Sequence, residues 1–240
     1  MKKLVSYITT GYPDKNFTFD LINTLKESGS DAIELGIPFS DPVADGPVIQ
    51  EANKRALELG FRLKDIFEIS KKTAKEIDVY WMGYFNNFYH KGYDLMVQEA
   101  KNAGVKGFII PDMPHEETRS YEDKFPLISF VAPTDSTNRI KQILKKPKEF
   151  IYLVAYAGIT GSGKQEDLSK IIKTVKKITD TPLYIGFGVN EKTAREKSKG
   201  VDGVIVGSAF IKVLLEDISN SEKLKKISKI AKTIKEEINS

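Results

Sequence analysis

The chain of 240 residues contains no cysteine at all. That excludes disulfides, thiolate nucleophiles and cysteine-ligated metals, and it is compatible with a reducing cytoplasmic setting. Long apolar runs are also missing. Mean hydropathy is −0.31, and no stretch approaches the ~20 residues needed to span a bilayer, so no membrane segment is expected. The opening residues, Met1-Lys-Lys-Leu-Val-Ser-Tyr7, turn polar after two positive charges and lack an apolar core and a cleavage site, which does not describe a signal peptide. The sequon at Asn16 therefore carries no weight. Nor is there a block of one charge. Lysine plus arginine number 37 against 33 acidic residues, for a net charge of +4 and a pI near 8.9. Because Lys and Glu are interspersed along helical stretches with no basic groove motif, solvated helix faces are expected in place of a nucleic-acid surface.

What the chain does have is a repeated alternation. Apolar strands are predicted at residues 4–9, 32–35, 79–84, 106–110, 127–132, 150–155, 183–187 and 202–206. Between them, helices are predicted at 16–28 (capped by Asp14), 48–59, 63–76, 93–102, 118–124, 138–144, 167–178 and 191–197, with another starting at Ser208. No Gly/Ser-rich linker or composition break interrupts this. A doubly wound open sheet would show the same alternation, but eight strands favour an α/β fold of the single (β/α)8 TIM barrel kind, one domain over residues 1–240. The tail, 221–239, reads as a Lys-rich amphipathic helix with Leu224, Ile227, Ile230 and Ile234 on the face that packs against the barrel.

Residues 32–51 form an unusual connector. Three prolines (Pro38, Pro42, Pro47) and two glycines (Gly36, Gly46) make a stiff loop after the second strand. Glu34 sits inside the apolar strand Ala32-Ile33-Glu34-Leu35, where burial would raise its pKa toward the range useful for acid–base chemistry. Asp45 follows in the loop. A carboxyl near the C-terminal end of a strand and another in the next loop is the placement of catalytic groups on a parallel barrel. The plainer alternative makes Glu34 a solvated edge-strand carboxylate, and Asp41 and Asp45 turn or cap residues. Glu34, Asp41 and Asp45 have oxygens for magnesium, but no histidine joins them: His90 and His115 lie on distant segments and are expected at the surface. No metal site is expected.

Three glycine-bearing loops follow the last strands: Gly158-Ile-Thr-Gly-Ser-Gly163, Gly186-Phe-Gly188, and Gly207-Ser208. Glycine lets backbone N–H groups approach an anion, and a helix starting at Ser208 would aim its positive end there. Plain turns are the alternative. The run Gly158 to Lys164 resembles a P-loop, but Gln165 replaces the magnesium-binding hydroxyl, and Gly186-Phe-Gly188 lacks a dinucleotide fingerprint's third glycine. Neither an NTPase nor nicotinamide binding is expected.

The string from Glu34 to Gln50, Glu-Leu-Gly-Ile-Pro-Phe-Ser-Asp-Pro-Val-Ala-Asp-Gly-Pro-Val-Ile-Gln, resembles the signature of the tryptophan synthase alpha chain family. The resemblance extends to Tyr7-Ile-Thr-Thr-Gly-Tyr-Pro13, Pro111-Asp-Met-Pro114, Tyr152 to Gly161, Gly186-Phe-Gly188 and Gly207-Ser208. It implies that Glu34 and Asp45 are the two catalytic carboxylates. It also implies that Gly161, Gly188, Gly207 and Ser208 hold phosphate and that Tyr7, Tyr152, Thr160 and Phe187 line the substrate pocket, with Tyr84 a further wall candidate. Most of these aromatics could equally be core. The implied reaction is retro-aldol cleavage of indole-3-glycerol phosphate into indole and glyceraldehyde 3-phosphate, a cytoplasmic step of tryptophan biosynthesis. No cofactor is implied in this chain, pyridoxal phosphate being carried by a partner beta subunit in an α2β2 tetramer. The loops at 36–47 and 155–166 are the implied moving parts. Three departures from the family pattern are visible. The chain starts almost at its first strand, Tyr156 stands where some members carry Arg, and Pro111 stands where a small residue is common.

Overall fold

The computed structural model describes residues 1–154 and 168–240. Along it run β1 (Lys3–Thr9), α1 (Lys15–Glu27), β2 (Ala32–Gly36), α2 (Pro47–Glu58), α3 (Leu63–Thr73), β3 (Asp78–Met82), α4 (Phe85–Lys91), α5 (Tyr93–Ala103) and β4 (Gly107–Ile109). The second half continues with α6 (His115–Thr118), β5 (Ser129–Val131), α7 (Thr137–Ile143), β6 (Ile151–Val154), α8 (Ser169–Ile178), β7 (Leu183–Gly186), α9 (Ala194–Lys197), β8 (Gly203–Val206), α10 (Ser208–Leu214) and α11 (Asn220–Asn239).

Every paired strand is parallel, and the spatial order is β4-β3-β2-β1-β8-β7-β6-β5. The ring is completed between β4 and β5 by a bridge at Phe108 and Leu127. Phe108 N–H donates to Pro126 O (2.8 Å) and Ile128 N–H to Phe108 O (2.9 Å). An open sheet would leave those two edges unpaired, so the fold is the (β/α)8 barrel, thinnest in pairing at this seam. Rings from both neighbouring and distant strands meet through its interior. Tyr80 of β3 packs edge-on to Phe150 beside β6, with centroids 5.2 Å apart, and Phe150 stacks on Tyr184 of β7 at 4.7 Å.

Outside the barrel, local chemistry fixes the helices. Asp14 caps α1 by accepting from Phe17 N–H at 2.8 Å, and Ser219 with Glu222 forms a capping box on α11. α11 buries Ile227, Ala231, Ile234 and Ile238, while Leu224 and Ile230, expected on the packed face, are only partly buried at its margin. Its Lys235 Nζ reaches Asp31 Oδ2 (2.5 Å), whose carboxylate also accepts from Leu4 N–H (2.7 Å) and Lys3 Nζ (3.1 Å).

Some expected elements are shifted. β3 stops at Met82, because Tyr84 caps an unforeseen helix, α4, whose Phe-Asn-Asn-Phe sequence gives a weak helical signal. The helix expected over 118–124 is instead the single turn α6 followed by tight turns. α9 begins at Ala194, since Thr193 Oγ1 and Asn190 Oδ1 hold residues 190–193 in a hydrogen-bonded turn. The predicted helix start at Asp167 lies outside the described residues.

Candidate active site

β2 lies between β1 and β3, and its residues are buried along their whole length. Glu34 is accordingly no solvated edge carboxylate. It is 2 % exposed, stands in register with Tyr7 on β1 and Tyr80 on β3, and lines a cavity of about 170 Å³. Among the described residues its carboxyl accepts no hydrogen bond. Burial, reinforced by the negative charge of Asp45, pushes its pKa up to about 8.

Asp45 lines the same cavity. It is held in the loop after β2, where its N–H bonds to Pro42 O (3.0 Å) and Gln50 Nε2 donates to its carbonyl (2.8 Å). Its Oδ2 accepts from the Tyr84 hydroxyl at 2.9 Å, and that hydroxyl accepts from Ala44 N–H at 3.0 Å. Burial raises the Asp45 pKa to about 6, with the Tyr84 hydrogen bond working against the rise. Tyr84 is thus corrected from wall residue to support. It does not line the cavity, it is 1 % exposed, and it stacks on Phe39 with centroids 5.3 Å apart. Asp41 points to solvent and accepts from Ser40 Oγ (2.5 Å), outside the cavity.

Tyr7 and Tyr152 both form part of the wall. Each leans over the last residue of the following strand: a Cβ on Gly36 would overlap the Tyr7 hydroxyl, and a Cβ on Gly186 the Tyr152 hydroxyl. Those two glycines are what permit the rings to lie across the barrel mouth. Tyr152 stacks on Phe130 (4.9 Å) and meets Phe187 edge-on (6.2 Å). Met82, Ile109 and Pro111 add apolar lining; of these the sequence singles out only Pro111, and Phe130 escapes notice because its strand carries no other site signal.

Gly188, Gly207 and Ser208 also line the cavity, as do Asn190 and Lys212. Phe187 and Gly188 both have positive φ, 71° and 68°. For a phenylalanine that left-handed conformation costs roughly 1–2 kcal/mol, and α9 supplies the restraint. Lys197 Nζ donates to Phe187 O (2.7 Å), and Thr193 Oγ1 donates to Gly188 O (2.8 Å). Nothing in the sequence distinguishes Lys197 from its neighbouring lysines. Thr160 and Gly161 lie outside the described residues, as do Tyr156 and the 155–166 loop. His90 is exposed and His115 half-buried, both away from the cavity. Among the described residues no three His, Asp or Glu side chains gather as a metal cluster, and no helix is long and apolar enough to cross a membrane.

A parallel barrel whose C-terminal mouth holds one buried and one half-buried carboxyl, both with raised pKa values and faced by aromatic rings, defines an acid–base enzyme of the (β/α)8 class. Comparison with known proteins narrows this. The family model described as tryptophan synthase alpha chain matches residues 1–239. A tryptophan synthase alpha chain of Wolinella succinogenes is 54 % identical over 247 residues, covering 100 % of this chain and 97 % of its own. The tryptophan synthase alpha subunit structure from Campylobacter jejuni superposes with a TM-score of 0.86 at 31 % identity, over 97 % of this chain and 95 % of that one. A Mycobacterium tuberculosis tryptophan synthase structure gives 0.88 at 29 % identity, over 100 % and 93 %. The chain belongs to the tryptophan synthase alpha chain family. It is a lyase that cleaves indole-3-glycerol phosphate in tryptophan biosynthesis, and its family works with a beta subunit.

Proposed function

We propose that Glu34 is the proton carrier and Asp45 the electrostatic partner of this cleavage. The observation that carries the reading is Glu34 itself, a fully buried carboxyl with a pKa near 8 in the wall of the cavity it shares with Asp45. At neutral pH Glu34 holds a proton that it can deliver to indole C3. Asp45, with a pKa near 6, is mainly ionised and accepts from the ring N–H, offsetting the positive charge that develops as C3 is protonated. Glu34, now a carboxylate, takes the proton of the side-chain hydroxyl. The carbon–carbon bond pair returns to the ring, indole leaves, and the carbinol becomes the aldehyde of glyceraldehyde 3-phosphate. Glu34 ends as it began.

Tyr7, Tyr152 and Phe187 hold the flat ring, with Thr160 as a further substrate-binding residue. The phosphate is received by Gly188, Gly207 and Ser208, joined by Gly161. The cavity supports this reading in that the two carboxyls, the rings and the glycine-bearing turns all line it. The first amides of α10 have no intrahelical acceptor and suit an anion. This chemistry draws on side chains alone, so the pyridoxal phosphate belongs to the beta subunit that consumes the indole. We infer an α2β2 assembly in the cytoplasm, with residues 1–240 acting as one barrel domain.

Steady-state release of glyceraldehyde 3-phosphate by wild type, Glu34→Gln and Asp45→Asn, each with and without a beta subunit, tests the assignment. Loss of about 10²–10⁴ in kcat for Glu34→Gln is expected. Turnover that survives Glu34→Gln, or a wild type that only stimulates the beta reaction, would demote both carboxyls to structural roles.

A further inference from the structure

The geometry points to Lys197 and Thr193, on and just before α9, as positioning residues that aim and polarise the Phe187–Gly188–Val189 peptides at the substrate's phosphate. This rests on the phosphate reading of the β7–β8 end given above. Among the described residues, Gly188 N–H and Val189 N–H donate to no protein acceptor; Val189 is 5 % exposed, Gly188 is exposed, and both residues line the cavity. For a buried residue such as Val189, an amide without an acceptor is rare unless a ligand completes it. The carbonyls of the same two peptide groups are taken from behind. Lys197 Nζ donates to Phe187 O at 2.7 Å, and Thr193 Oγ1 to Gly188 O at 2.8 Å. An ammonium on a peptide oxygen is a charge-assisted bond, and it strengthens the N–H at the other end of that peptide as a donor.

The fit is close. A Cβ on Gly188 would come within 2.8 Å of Lys197 Nζ, so the glycine admits the ammonium directly under the turn. Lys197 is half-buried and desolvation lowers its pKa, and among the described residues no carboxylate pairs with it. Its charge is therefore not neutralised locally and acts across one peptide group on whatever anion the turn receives. Thr193 Oγ1 also accepts from Asn190 N–H at 3.0 Å, which ties the far side of the turn to the same helix. The sequence distinguishes neither residue, because one is a lysine among many and the other a threonine in a short helical run.

The test uses the full chain and two ligands that share no group: glyceraldehyde 3-phosphate, which carries the phosphate, and indole, which does not. Titrating each into wild type, Lys197→Met, Lys197→Arg and Thr193→Val by amide NMR gives Kd values and reports on the turn directly. Lys197→Met is expected to raise the Kd of glyceraldehyde 3-phosphate and the KM of indole-3-glycerol phosphate by about tenfold, and Thr193→Val by about threefold. The indole Kd and kcat should move less than about twofold, and Lys197→Arg should recover most of the loss. Equal weakening of both ligands would make Lys197 a plain brace for Phe187 and overturn the inference. An unchanged glyceraldehyde 3-phosphate Kd in Lys197→Met, with the Gly188, Val189 and Ser208 amides still shifting, would overturn it too. If those amides stay still in wild type, the phosphate reading itself fails.

Discussion

Glu34 and Asp45 are separated by the last two residues of β2 and eight of loop, and their pKa values stand near 8 and near 6; that second separation governs how activity responds to pH. Glu34 works as an acid only while protonated, which holds below about 8. Asp45 works as an anion only above about 6. The profile of kcat/KM for indole-3-glycerol phosphate is therefore expected to be a bell with limbs near those values. Part of the Glu34 shift comes from the Asp45 charge, so in Asp45→Asn the residual activity should lose its acid limb and its alkaline limb should move to lower pH. A profile of the variant that keeps its alkaline limb unmoved would mean that burial alone sets the Glu34 proton. At this scale the sequence was informative where a residue contradicted its surroundings. A glutamate in an apolar strand stands out; a tyrosine after a strand does not, and so the hydroxyl of Tyr84 looked like pocket wall until its bonds to Asp45 and Ala44 were seen.

Among the elements, strands were legible and short helices were not. Apolar runs of the right length located all eight strands, because each is buried by its neighbours regardless of detail. α4, α6 and α9 are seven, four and four residues long, too short for a 3.6-residue period to register, and their ends are decided by side chains such as Asn87, Asp112 and Thr193 that reach across loops. What no local pattern reveals is the contact between one strand's tyrosine and the next strand's final glycine. Gly36→Ala should force Tyr7 off its position, costing about 1–3 kcal/mol of stability and raising KM, as read by urea denaturation and steady-state kinetics. The conventional substitution Gly46→Ala, whose Cβ would meet nothing within 4 Å, serves as the control and should leave both nearly unchanged.

Across the whole molecule, closure depends on contacts between distant parts of the chain. Asp31, just ahead of β2, gathers Lys3, Leu4 N–H and Lys235 of α11. Burial would raise its pKa, but these hydrogen bonds outweigh that and hold it below the ordinary carboxylate range. A lowered folded-state pKa contributes stability that is present above the unfolded value near 4 and is lost as pH falls through the folded one. Asp31→Asn is therefore expected to cost about 1–3 kcal/mol at pH 7 and nearly nothing at pH 2–3, measured by denaturant unfolding at both. An equal loss at both pH values would assign the effect to packing. The number of strands was enough to anticipate the barrel, but neither this clamp nor the sparse β4–β5 pairing could be read from sequence, since both join residues that no local pattern connects.

That seam has a consequence for how the chain could be rewired. β4 and β5 are neighbours in sequence as well as the two ends of the hydrogen-bonded order, while at the other side of the barrel Lys2 N–H donates to Asn239 Oδ1 at 2.7 Å. A circular permutant that joins residue 240 to residue 1 through a short linker and opens between residues 119 and 125 would begin at β5 and finish at β4. Its new ends would fall where the sheet already has the fewest bonds to lose, and every other strand pairing would be kept.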